Sequence, residues 1–129
     1  MPRPATSHPT ELELEILKVL WQQQEPLSGQ EVRDALAPGR DLTYSSVMSM
    51  LGIMEEKGYV RRRKAGGRFV YSPRVTQAAT GRRMLRDLVD RVFDGSALDV
   101  MVNLLETSRV DPAELKELRE LIQKKAEQK

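Results

Sequence analysis

The chain reads as a mainly α protein with one small β-hairpin, and three observations predict it. Apolar residues recur at i, i+3, i+4 and i+7, the buried stripe of an amphipathic helix; Val47, Met50, Leu51 and Met54 form one such set and Leu98, Met101, Val102 and Leu105 another. Helix starts are written out by capping residues, as in "TELE" from Thr10 and "DPAE" from Asp111. The stretch "YVRRRKAGGRFVYSP" pairs two runs rich in Val, Tyr, Phe and Arg around Gly66-Gly67, which is a hairpin signal.

Taken in order, Met1 to Pro9 is polar and Pro-rich and is expected to be a disordered leader. Thr10 and Glu13 form a capping box, and a helix follows to about Gln23. Its apolar residues, including Ile16, Leu17, Leu20 and Trp21, cover a wide arc, so more than one neighbour should bury it. "EPLSGQEV" reads as a turn with a second box, Ser28 with Glu31, opening a short helix to about Leu36 that turns Val32, Ala35 and Leu36 inward. Thr43 caps a third helix, which ends at Gly58, a residue that accepts positive φ. The hairpin comes next and Pro73 ends it. Leu85, Leu88, Val89 and Val92 then mark a fourth helix, interrupted at Asp94-Gly95. The Leu98 to Leu105 stripe marks a fifth. Asp111, with Pro112 and Glu114, starts a sixth, carrying Leu115, Leu118, Leu121 and Ile122.

Composition narrows the function. With 129 residues, 40% apolar and 31% charged, the chain should fold and stay in solution. The absence of Cys removes disulfides and thiolate chemistry, and the single His, His8, has no partner near it in sequence. No nucleophile–base set is evident, so no enzyme and no cofactor are expected. Asp87 and Asp90 fit a solvated helix face. No apolar run approaches the ~20 residues of a membrane span, and no signal peptide is seen. The expectation is a cytoplasmic protein without membrane insertion. Net charge is only +2, yet Lys57, Arg61, Arg62, Arg63, Lys64, Arg68 and Arg74 fall in one stretch without an acid, which suggests a polyanion partner.

Three helices followed by a basic, Gly-turned hairpin match the winged helix-turn-helix plan. There the third helix enters the major groove and the wing reaches the backbone or the minor groove. The third helix carries Ser45, Met48, Ser49 and Gly52 opposite its apolar stripe, a face without charge or bulk. Such a face lets a backbone approach base edges; it also suits close helix–helix packing. Thr43, Tyr44, Ser45, Ser46, Met48 and Ser49 are the candidate DNA contacts on this helix. Met48 suits a thymine methyl, and amides at the helix start suit phosphate. Tyr44 either reaches phosphate or shields the helix start. Arg61, Arg62, Arg63, Lys64 and Arg68 are the candidate wing contacts, against the alternative of a merely solvated run; Phe69 and Tyr71 share a face expected to pack on the helices, and Trp21 is read as core. The three C-terminal stripes are more than one short segment can bury, and a second copy of the chain would cover them. The competing reading is a protein-interaction module without sequence-specific DNA binding.

"ELEILKVLW", "LTYSSVMSML", "EEKGYVRRR", "GGRFVYSP", "LDVMVNLLE" and "ELKELRELI" resemble the penicillinase-repressor (BlaI/MecI) family over about Thr10 to Lys124. The resemblance implies a winged-helix DNA-binding domain at residues 10–74 and a helical dimerisation region at 75–129. It implies a homodimeric repressor on a palindromic double-stranded operator. It also implies a membrane sensor-protease as partner, cutting at the position matched here by Asn103-Leu104. Two departures stand out. No Arg or Lys lies between Leu42 and Glu55, where family members often carry one, so an operator sequence does not carry over. The cysteines of copper-responsive relatives are absent.

Overall fold

In the computed structural model of the chain, residues 8–128 are described. The order is α1 (Glu11–Gln22), β1 (Leu27–Ser28), α2 (Gly29–Leu36), α3 (Tyr44–Lys57), β2 (Val60–Ala65), β3 (Arg68–Pro73), α4 (Gln77–Val92), α5 (Ala97–Thr107) and α6 (Pro112–Glu127). The strands form one antiparallel sheet in the order β1-β3-β2. This is a winged helix-turn-helix with helices following it, as the sequence predicts.

Local chemistry sets the element ends. Thr10, Ser28 and Asp111 each accept a hydrogen bond from the amide three residues on, and Glu13, Glu31 and Glu114 in turn accept one from the cap amide. Thr43 caps α3 through the Ser46 amide, and Gly58 ends it at φ 84°. Gly66 and Gly67 both have positive φ (61° and 83°), as a two-residue hairpin turn matched to strand twist requires.

The chain divides into two compact units, up to Asp87 and from Leu88. The first therefore takes in the start of α4, beyond the boundary the sequence placed after Arg74. Its core is aliphatic: Ile16, Leu17 and Leu20 of α1, Val32 and Leu36 of α2, and Val47, Leu51 and Met54 of α3, closed by Val60 and Tyr71 of the sheet.

Several expectations are corrected. Leu27-Ser28 is not only a turn but a strand pairing with Tyr71 and Val70; two residues are too few to show alternation. Ala35 is exposed, because the short α2 buries only Gly29, Val32 and Leu36. Phe69 is not part of the core: it is 37% exposed, and its ring lies against the Arg62 guanidinium instead. Asp87, expected on a solvated face, is half-buried, and its Oδ2 lies 3.0 Å from Nε2 of His8, whose partner is thus distant in sequence. Of the expected leader, residues 1–7 lie outside the described residues, while Pro9 is buried. Trp21 is half-buried and its Nε1–H donates to the Val75 carbonyl at 2.9 Å.

In the second unit, among the described residues, Val100 of α5 is buried and no side chain of α6 is. Leu88, Val92, Leu98, Met101, Leu105, Leu115, Leu118, Leu121 and Ile122 all face solvent in the single chain. Among the described residues, no helix is long and apolar enough to cross a membrane.

One buried carboxylate ties the helices together. Glu13 is 1% exposed, and it accepts from the Thr10 amide (2.8 Å) and from Lys57 Nζ (2.9 Å). Burial alone raises its pKa, but the Thr10 amide and the Lys57 ammonium outweigh that and hold the carboxyl below the ordinary carboxylate range. A carboxyl depressed in the fold contributes stability that is present above its unfolded pKa and lost as pH falls through the folded one. Lys57→Met removes the charge that pairs with a buried carboxylate. The cost of breaking a buried pair is reduced by the partial exposure of Lys57, to about 1–2 kcal/mol at pH 7. Urea unfolding at pH 7 and pH 3 checks this: the variant should lose stability at pH 7 and less of it at pH 3. Equal losses at both pH values would contradict it.

Candidate nucleic-acid interface

Helix α3 presents Thr43, Tyr44, Ser45, Ser46, Ser49, Gly52 and Ile53 to solvent, while Val47, Leu51 and Met54 are buried below. The 3.6-residue period puts these sets on opposite faces. The Thr43 hydroxyl is engaged: it accepts from the Ser46 amide and donates to Ser46 Oγ at 2.9 Å. Val47 N–H donates to the Thr43 carbonyl. The amides of Tyr44 and Ser45 are the first-turn donors left over, and they suit an anion. Arg33 Nε–H donates to the Leu42 carbonyl at 3.0 Å and pins the approach to this helix start.

Met48 is placed differently from Ser45 and Ser49. It is half-buried against the core, and a Cβ built at Gly29 would lie 2.3 Å from its sulfur and 3.4 Å from the Tyr44 ring. The small residue at 29 thus lets α3 sit close on α2. The two open readings of the small face are divided along the helix. Met48 serves helix packing, while the serines remain on the surface. Sequence reasoning did not reach Gly29, since nothing in "LSGQEV" marks a glycine whose missing side chain matters.

The hairpin supplies charge. Pairing sets Arg62 opposite Tyr71 and Lys64 opposite Phe69 on one face, with Arg61 opposite Ser72 and Arg63 opposite Val70 on the other. Near the core, the first face is buried at Val60 and Tyr71. Further out, the Arg62 guanidinium lies 4.3 Å from the Phe69 ring centre and Lys64 Nζ 5.8 Å from it. Arg62 also pairs with Glu55 of α3, Nε to Oε2 3.3 Å, so the wing is tied to that helix. Among the described residues, Arg61, Arg63, Lys64 and Arg68 form no ion pair. Glu31 is held below the ordinary carboxylate range by the Ser28 amide and hydroxyl, with a smaller contribution from Arg68.

The remaining candidates lie on the C-terminal helices. Leu85 and Val102 are also exposed, and Val89 is half-buried. Asn103-Leu104 lies inside α5: Asn103 Nδ2–H donates to the Asp99 carbonyl (2.9 Å), and the Thr107 hydroxyl donates to the Asn103 carbonyl (2.7 Å). Among the described residues no cluster suited to a metal ion occurs.

A protein-family model described as "Penicillinase repressor" matches residues 9–124. The chain is 24% identical over 114 residues to the penicillinase repressor of Bacillus licheniformis, covering 88% of each chain. It is 20% identical over 113 residues to the methicillin resistance regulatory protein MecI of Staphylococcus aureus, covering 88% of this chain and 91% of that one. Among solved structures, it is similar to HlyU from Vibrio cholerae, with 24% identity, 64% of this chain and 83% of that one covered, and TM-score 0.47. Another is the monomeric Bacillus licheniformis BlaI in complex with the blaP half-operator, at 26% identity, 60% and 87% coverage and TM-score 0.44.

Proposed function

The chain belongs to the penicillinase repressor family, and we propose that it is a cytoplasmic repressor binding a twofold-symmetric duplex DNA operator as a homodimer. Helix α3 would lie in the major groove, with the hairpin along the backbone. One juxtaposition carries this reading: an uncharged, small-residue helix face stands beside a hairpin whose Arg61, Arg63, Lys64 and Arg68 form no ion pair among the described residues. The amides of Tyr44 and Ser45 would hold phosphate and fix register, and Ser45, Ser46 and Ser49 would meet base edges. Anisotropy titration of generic duplex DNA at several salt concentrations tests the reading. Phosphate contacts require a steep fall of log affinity with log salt. A flat dependence would favour a protein-docking module instead.

With no Arg or Lys on the exposed part of α3, discrimination rests on hydroxyls, on apolar contact and on DNA shape. Gly29→Ala probes it. The added methyl would displace the Met48 thioether, a flexible group, onto the open face of α3. The clash falls on the far end of a flexible side chain, so the packing loss should be small. The expected outcome is nearly unchanged thermal stability with an altered consensus in a binding-site selection. An unchanged consensus would mean that this part of α3 does not read bases.

Induction is proposed to follow cleavage of the Asn103–Leu104 bond by a membrane sensor-protease. A protease needs an extended segment, so α5 must first unwind locally. The two side-chain hydrogen bonds across Asn103 oppose that.

A further inference from the structure

We propose that the first unit holds a binding site for a small dianion with an apolar body, in the cavity between the base of the hairpin and the start of α4. The cavity is about 300 Å³, the low end of the range for small-molecule sites. Arg74 and Arg83 line it, and among the described residues neither forms an ion pair. Two buried hydroxyl residues line it as well: Tyr59 is 8% exposed and Thr80 7%. Among the described residues neither hydroxyl makes a hydrogen bond to the chain, yet no enclosed side-chain oxygen lacks a partner. Both hydroxyl oxygens therefore keep some exposure, and a ligand in the cavity that these residues line would offer them a partner.

The chemistry of the lining selects the ligand. Two guanidinium groups match a doubly charged head, a phosphate monoester or a dicarboxylate, through forked hydrogen bonds. Pro9, Val75 and Ala79 give an apolar wall for a short hydrocarbon or aromatic body. Among the described residues no carboxylate lines the cavity to repel an anion. The site is also anchored: the Arg74 amide donates to the Tyr59 carbonyl at 2.8 Å, joining the two ends of the hairpin. The site goes beyond the DNA-binding reading, and its test contains no DNA, so either can fail alone.

Trp21 is the chain's single Trp, and its indole N–H is bonded to the carbonyl of Val75, a residue of the cavity wall. Its emission is a built-in reporter. The experiment titrates the full-length protein with phenyl phosphate, phenylmalonate and, as a neutral control, benzyl alcohol. Trp21 emission and isothermal calorimetry are followed together. A saturable response to at least one dianion, absent with benzyl alcohol, is expected, and the responding probe distinguishes phosphate from dicarboxylate. Arg74→Met and Arg83→Met should each weaken it at least about tenfold, and Thr80→Val and Tyr59→Phe by smaller factors, in line with charged against neutral hydrogen bonds. Melting curves establish that each variant is folded, and Arg83→Lys should restore part of the affinity. The proposal is overturned if neither dianion saturates, if benzyl alcohol binds equally well, or if the folded Arg variants bind as the parent does.

Discussion

Replacing Arg61 and Arg63 together by Ala is expected to weaken binding to every duplex sequence alike and to reduce the salt slope by about two units. Both side chains project from the face of β2 that pairs with Val70 and Ser72, and neither forms an ion pair among the described residues. Each is free to displace a counterion from phosphate. Taking away two guanidinium–phosphate pairs corresponds to roughly tenfold to a hundredfold in affinity near physiological salt. Arg62→Ala is the control. Arg62 is already engaged by Glu55 and stacked on Phe69, so its removal should loosen the hairpin more than it lowers the slope. Anisotropy at a series of salt concentrations measures both. A double variant with the parent slope would show that this face of the hairpin does not meet the backbone.

Leu98→Asp with Leu105→Asp is expected to convert a dimer into a folded monomer. Leu98 and Leu105 are 69% and 55% exposed in the single chain, so Asp there should leave the fold intact. In a shared interface each buried Leu contributes ~1.5–3 kcal/mol, and a desolvated carboxylate would cost more than that gain. Val100, buried within the unit, is left alone. Sedimentation equilibrium should report a dimer for the parent and a monomer for the variant, with circular dichroism unchanged. Affinity for DNA carrying two half-sites should fall by orders of magnitude toward that for a single half-site, since the linked second binding event no longer occurs. A variant that still sediments as a dimer would place the interface elsewhere.

Much of the fold was legible in the sequence because its signals are local. Thr10 with Glu13, Ser28 with Glu31 and Asp111 with Glu114 are boxes whose chemistry closes within one turn. Gly58 and Gly66-Gly67 mark their own backbone conformations. What escaped depends on distant partners. Leu27-Ser28 becomes a strand only because Tyr71 and Val70 lie alongside. His8 meets Asp87 across 79 residues, and no window of sequence could pair them. The same holds at the candidate site. The serine face and the basic run could be read directly. That Met48 turns toward Gly29 could not, because helical spacing fixes an angle around the helix but not what fills the space beside it. Phe69 differs from expectation for a related reason: its strand has the right alternation, but alternation does not say that Arg62, rather than the core, meets its ring.

The central claim is that two copies of this chain present α3 and the hairpin to a twofold-symmetric DNA site. Selection of bound fragments from a random-sequence duplex pool tests it most directly. The account predicts enrichment of an inverted repeat whose half-sites lie about one helical turn apart, or a multiple of that. Enrichment of an asymmetric site, or none above the starting pool, would contradict it.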